Sequence, residues 1–247
     1  MDTALLAAKE AEKVILSHYS PTAVADFKLD NSPVTVADKE AEAVIVNTLK
    51  KEFPDHGFIG EEGASKDAEY QWIIDPIDGT LNYMRGIFLF STEIALVKDG
   101  IPLLGVSNIP ILKMLMRAEK GKGTYLNGEK INVSKRPIED AYIGFGNLSY
   151  FEKRGCIPGL LSLMSKAWRN RGYGDFIGYH FVAKGALDVM LEAKVKIWDI
   201  AAQKIIVEEA GGKVTDFQGN PVGMETNSAI ASNGIFHNEI VDRLSGD

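Results

Sequence analysis

The chain has 247 residues, 45% of them hydrophobic and 25% charged, enough apolar material for a substantial core and no apolar run of membrane-spanning length. Its 27 Lys and Arg against 34 Asp and Glu leave a formal net charge of -7, so no basic face for gripping a nucleic-acid backbone is supported. The single cysteine, Cys156, excludes an intramolecular disulfide, a Cys-ligated zinc and a Cys-x-x-Cys redox pair, and fits a reducing cytoplasm.

Met1 to Leu5 lacks the basic start of a signal peptide. Leu5, Ala8, Ala11, Ile15 and Tyr19 recur at helical steps up to Pro21, which predicts an amphipathic helix. Lys28 to Pro33 reads as a polar loop, and a second helix is expected from about Asp38 to Phe53, burying Ala41, Ile45 and Leu49. From Phe58 short apolar runs alternate with glycine-containing turns, of which Asn127-Gly128 is the strongest hairpin signal. This first half, to about residue 137, therefore reads as two helices followed by a mainly antiparallel sheet.

Residues 138–247 revert to alternating strands and helices. Strands are expected near Ala141 to Gly146, Trp168 to Tyr173, Lys213 to Asp216 and Ala229 to Ser232. Helices are expected over Ile177 to Ala186, from Asp199 to Ala210 with Gly211-Gly212 as its stop, and near the C-terminus to Leu244. The whole is one layered α/β unit of two packed halves.

The most informative stretch is Trp72 to Thr80. An apolar strand delivers Asp75, Pro76 bends the chain, and Asp78 follows, so two carboxylates and the Ile77 carbonyl can face one point. Hard cations take such oxygen clusters. Gly79 and Thr80 then open a short helix whose free amides suit a phosphate. Taken alone, an Asp-x-x-Asp is more simply a turn and a helix cap. Glu61-Glu62, at the end of another apolar run, and Asp199, after Trp198, add further acids.

Together these segments resemble the inositol monophosphatase family of Mg-dependent phosphomonoesterases. The resemblance runs through Ser32-Pro33-Val34-Thr35-Val36-Ala37-Asp38, Gly60-Glu61-Glu62, Asp75 to Thr80, Trp198-Asp199 and Glu208 to Gly212. It implies a five-layer αβαβα sandwich of the inositol monophosphatase and fructose-1,6-bisphosphatase type, commonly a homodimer. It further implies two or three Mg2+ ions, with Mn2+ as a substitute, held by Glu61, Asp75, the Ile77 carbonyl, Asp78 and Asp199. Asp38 and Thr80 match positions that orient the attacking water, with Glu61 alongside in the catalytic set, and the Gly79 and Thr80 amides match a phosphate contact. Lys28 falls in the loop that the family folds over its metals, either a lid charge or a solvated lysine.

The segment Arg171-Gly172-Tyr173-Gly174-Asp175-Phe176 resembles the histidinol-phosphate phosphatase branch more than the inositol branch, and Glu192 matches a substrate-contacting acid. Two carboxylates, Asp175 and Glu192, suit an alcohol carrying an ammonium and an imidazole. The competing account of Asp175 is a structural acid paired with Arg169 or Arg171. Other readings are an inositol-1-phosphate phosphatase of broad polyol and sugar phosphate range, a 3'-phosphoadenosine nucleotide phosphatase, and a non-catalytic phosphate or metal sensor. The expected partner is a small phosphate ester, with no nucleic acid and no membrane. His18, His56, His180 and His237 form no metal-ligand spacing and read as surface or core residues.

Overall fold

A computed structural model describes residues 1–20, 26–27 and 33–245; Lys28 lies outside them. In chain order the elements are α1 (Asp2–His18), β1 (Asp26–Phe27), β2 (Pro33–Val34), α2 (Val36–Glu52), β3 (Gly57–Gly60), β4 (Ser65–Lys66), β5 (Tyr70–Asp78), α3 (Thr80–Met84), β6 (Ser91–Lys98), β7 (Ile101–Ile109), β8 (Met114–Glu119), β9 (Gly123–Leu126) and β10 (Glu129–Ile131). They continue as β11 (Tyr142–Phe145), α4 (Leu148–Lys153), α5 (Ile157–Lys166), β12 (Arg169–Gly172), α6 (Phe176–Ala183), β13 (Val189–Glu192), α7 (Ile197–Glu209), β14 (Lys213–Thr215), β15 (Ala229–Ser232) and α8 (His237–Leu244).

Among the described residues the larger sheet has eight strands in the order β10-β9-β8-β7-β6-β5-β3-β4, antiparallel throughout except for β3 beside β5. The sequence dictates its tight turns. Asp99-Gly100 and Asn127-Gly128 adopt positive φ at both positions, the twist that lets a two-residue loop join right-handed strands. A second sheet has the order β12-β11-β13-β15-β14.

Strand alternation sorts the core into layers. Trp72 and Ile74 of β5 point to one face, where they join Ala4, Ala8, Ala11 and Ile15 of α1 and Ala41, Ile45 and Leu49 of α2. Ile73 points to the other face and joins Ile200, Ala201 and Ile205 of α7, which in turn meet Met190, Ala229 and Ala231 of the second sheet. The far side of that sheet, Ile143, Val189, Leu191 and Ile230, is covered by Phe151, Leu160, Leu163 and Ile240 from α4, α5 and α8. This is the αβαβα sandwich, and α6 and α7, from the second half of the sequence, form its middle layer.

Differences from the sequence reading have local causes. The buried stripe of α1 uses Ala4 and Ala7, while Leu5 and Tyr19 are only half-buried, because alanines let α1 lie close against α2. Both helices expected to start at an aspartate begin earlier: Asp38 and Asp199 are each the third residue of their helix. Strand β13 gave no alternating signal because all its residues are buried on both faces. Helices α4 and α5 were not anticipated, although Ile157, Leu160, Leu161 and Met164 recur at helical steps along α5.

Helix α7 comes close to the sheet at Gly105 of β7. A Cβ there would sit 2.6 Å from Ile205 Cγ2 and 2.9 Å from the Ala202 carbonyl oxygen. Gly105→Ala is therefore expected to lower the unfolding free energy by about 1–3 kcal/mol through overpacking, measured by denaturant unfolding.

Candidate active site

Strand β5 ends in a bulge at the position of the expected bend. Asp75 faces Glu93 and Asp78 faces Ser91, so β5 spends one residue more than β6 between these pairs. Pro76, which has no N–H to donate, fits there, and its carbonyl accepts from Thr92 Oγ1 at 2.9 Å. The Asp75 carboxylate accepts the Ile77 N–H at 3.0 Å. Gly79 then takes φ +90°, with its α-carbon so close to the Leu89 carbonyl that a Cβ would lie 2.9 Å from it. Only glycine turns the chain here from strand into α3.

Two helix starts bring further acids to this point. At α2 the Asp38 carboxylate accepts from the Thr35 N–H at 2.7 Å and the Thr35 hydroxyl at 2.5 Å. Its other oxygen accepts from Thr80 Oγ1 at 3.4 Å, and Thr80 Oγ1 lies 3.0 Å from the Ile77 carbonyl oxygen. At α7 the Asp199 carboxylate accepts the Lys196 N–H at 2.7 Å. In each case an acid in the first turn closes the helix start, as dipole and capping favour. Glu61 stands on the turn after β3 and hydrogen-bonds to Asp75.

Burial first, and then repulsion from Glu61, Asp78 and Asp199, raises the Asp75 carboxyl well above the ordinary range. Burial and then Asp175, Asp199 and Glu93 do the same to Asp78, and burial chiefly pushes Asp199 to about 7. Buried like charges need a proton or a cation between them. Among the described residues no three of the acids converge as a single metal-ligand set; Glu61 and Asp75 instead share a hydrogen bond. The donor chemistry fits a hard cation all the same: four carboxylates from β5, α7 and the β3 turn, all oxygen.

Behind them lies a buried network that sequence reading did not single out. Glu93 Oε1 accepts from Ser91 Oγ and Ser107 Oγ, both at 2.6 Å, and Ser107 Oγ lies 2.6 Å from His180 Nε2. Burial raises the Glu93 carboxyl to about 8 and lowers His180 to about 3, so His180 is a neutral core histidine, as expected. The available signal for Glu93 was an acid at an inward position of an apolar strand.

A cleft of about 450 Å3 opens beside the carboxylates, lined among others by Asp78, Asp175, Tyr179, Glu192, Lys194 and Asp199. Glu192 is nearly buried at the end of β13, and a Cβ on Gly146 would overlap its carboxylate. Two consecutive amides tie this side to the β5 acids: Asp175 N–H donates to Glu192 Oε1 at 3.1 Å and Phe176 N–H to Asp78 Oδ2 at 3.0 Å. Asp175 pairs with neither Arg169 nor Arg171. Its carboxylate accepts from Asn82 Nδ2 at 3.3 Å, while Arg171 turns back to the Asn170 carbonyl. Asp175 has φ 60° and ψ −163°, a backbone region that is nearly glycine's alone. The Tyr179 hydroxyl is buried among these acids with no hydrogen-bond partner.

The sequence matches the inositol monophosphatase family over residues 1–245. The chain belongs to that family. Its members are phosphoric monoester hydrolases, generally metal-dependent, and this inositol monophosphatase homologue is such an enzyme. It is 38% identical over 228 residues to a histidinol-phosphatase of Mycobacterium tuberculosis, covering 89% of this chain and 87% of that protein. It is also 38% identical over 208 residues to a fructose-1,6-bisphosphatase/inositol-1-monophosphatase of Thermotoga maritima, covering 84% and 80%. The solved structure of a Thermotoga maritima IMPase superposes with a TM-score of 0.89 at 33% identity, covering 99% of this chain and 96% of that one.

The raised carboxyls make a pH prediction. A folded-state pKa above the unfolded value means that the folded enzyme holds more protons between the two, so stability is lost as pH rises through that window. With Asp199 near 7 and Glu93 near 8, the enzyme in EDTA should lose at least about 1 kcal/mol between pH 5 and 8. Denaturant titrations at both pH values measure this, and Glu93→Gln should flatten the trend.

The strain at Asp175 makes another. Asp175→Gly should raise the unfolding free energy by about 1 kcal/mol through relief of the backbone, whereas Asp175→Asn should not; thermal melts of both variants decide.

Proposed function

We propose that the enzyme hydrolyses histidinol phosphate to histidinol and phosphate with Mg2+ held by Glu61, Asp75, the Ile77 carbonyl, Asp78 and Asp199. The observation that carries the substrate assignment is the pairing of Asp175 and Glu192 on one cleft beside the cation-binding acids. Both carboxylates are acceptors, and among the described residues neither is paired with an arginine. An alcohol bearing an ammonium and an imidazole supplies the donors and the positive charge that they lack.

Bound there, the metal ions would supply Lewis acidity that activates water and offsets the phosphate charge. The chain's own groups do the rest. Thr80 Oγ1, set between the Ile77 carbonyl and Asp38, orients the attacking water and passes its proton to Asp38. Thr35 holds Asp38 in place for this step. The Gly79 and Thr80 amides, at the start of α3, face the phosphate. Glu192 and Asp175 hold the leaving alcohol so that its ester oxygen stays in line with the water. The homodimer and the cytoplasmic setting expected from the sequence belong to the same reading, and no helix of the described residues is long and apolar enough to cross a membrane.

One observation favours a second reading. Lys194 lines the same cleft, a cation better suited to a polyol phosphate or a second anionic group than to an ammonium. Phosphate release with Mg2+, measured side by side on histidinol phosphate and inositol-1-phosphate with an EDTA control, separates the two. The first reading expects kcat/KM to favour histidinol phosphate by about a hundredfold, roughly 2.7 kcal/mol of transition-state binding, and Asp175→Asn to weaken that ester much more than the polyol ester. Comparable or reversed values would leave a broad polyol phosphatase.

A further inference from the structure

Glu42 was not marked by the sequence motifs, yet it is a carboxylate on the buried face of α2, one turn beyond Asp38, and only 5% exposed. Its two oxygens accept backbone amides: Oε2 from Glu62 N–H and Oε1 from Ala64 N–H, both at 2.8 Å. These amides belong to the turn on which Glu61 stands. The turn closes on itself through Gly60 N–H to the Ala64 carbonyl at 2.8 Å, and Glu61 N–H reaches across to the Ile74 carbonyl, next to Asp75, at 3.1 Å.

The approach of Glu42 to this turn depends on Gly60. A Cβ at residue 60 would lie 2.2 Å from Glu42 Oε2 and 2.5 Å from its carboxyl carbon. Short, charge-assisted bonds to two amides of one turn define its position far better than a flexible surface turn defines itself. The backbone of Glu61 is therefore held on both sides, by Glu42 through residues 62 and 64 and by β5 through Ile74. Its side chain is left facing Asp75, to which it hydrogen-bonds.

We infer that Glu42 is a positioning residue for cation binding: through the backbone of the 60–64 turn it presents the Glu61 carboxylate to the cation shared with Asp75. The inference rests on the reading of Glu61 as a metal ligand. Glu42 is not among the residues that line the cleft. Helix α2 thus serves the site twice, with Asp38 bound to Thr80 on its first turn and Glu42 bound to the Glu61 turn on its second.

The test uses Glu42→Gln, Gly60→Ala and Glu61→Gln in the full-length enzyme, with Glu40→Gln as a control on the exposed face of the same helix, where Glu40 pairs with His18. A glutamine at 42 keeps one acceptor but turns an N–H toward the other amide; an alanine at 60 pushes the carboxylate away without altering it. Binding of MgCl2 is followed by calorimetry and by the shift in melting temperature that Mg2+ produces, and separately by the Mg2+ concentration giving half-maximal phosphate release. The expected result is a Mg2+ affinity at least tenfold weaker for Glu42→Gln and Gly60→Ala, a smaller Mg2+-induced melting shift, and no change for Glu40→Gln. A loss of melting temperature in EDTA with an unchanged Mg2+ titration would make Glu42 a clamp on the turn alone and overturn the inference. Should Glu42→Gln fail to fold, Gly60→Ala decides by the same criterion. If Glu61→Gln leaves Mg2+ binding intact, the ligand reading of Glu61 falls, which is a different failure from that of Glu42.

Discussion

Burying several carboxylates within reach of one another is the constraint around which this fold is organised. Asp75, Asp78, Asp199 and Glu192 are each pushed above the ordinary carboxylate range by burial and by neighbouring acids, so the molecule spends stability to hold them together. It can do so because each is fastened by backbone amides. Ile77 N–H holds Asp75, Phe176 N–H holds Asp78, Lys196 N–H holds Asp199 and Asp175 N–H holds Glu192. Such bonds orient a carboxylate without neutralising it. The remaining charge suits a hard cation.

The five layers follow from the same need. The acids come from the β5 bulge, the turn after β3, and the starts of α2 and α7, and these meet only because α7 lies across the large sheet. Gly105 permits that approach. Because α7 also packs against the second sheet, the acids of β5 and the cleft beside Glu192 share one helix layer. The consecutive amides of Asp175 and Phe176, bound to Glu192 and Asp78, are the most direct mechanical link between them. The glycine-like backbone of Asp175 is the local cost of that link.

Much of this was legible in the chain. The hairpins were readable because Asp99-Gly100 and Asn127-Gly128 favour positive φ, and the helices because small apolar residues recur at helical steps. The acids of the motifs were readable because Asp75, Asp78, Glu61 and Asp199 stand at the ends of apolar runs, where a fold delivers side chains to a surface. What escaped had physical reasons. β13 is buried on both faces and so lacks alternation. Glu42 lies on a helix face whose other members, Ala41, Ile45 and Leu49, are apolar, and its partners are amides twenty residues away that carry no sequence signature. Arg169 and Arg171 were plausible partners for Asp175 by proximity in sequence, but Arg171 turns back to the Asn170 carbonyl, and Asn82 of α3, remote in sequence, is the residue that reaches Asp175.

By itself, then, the sequence determined most of the helices and strands, the tight turns that join them and the acids at the ends of apolar runs, since those depend on local conformational preference and on residue type. Tertiary structure alone decided which acids face one another, which are bound by amides and which by side chains, and where the cleft opens, because each of these depends on contacts between segments far apart in the chain. The bond between Glu42 and the Glu61 turn, and that between Asp78 and Phe176, exist only once the layers are stacked.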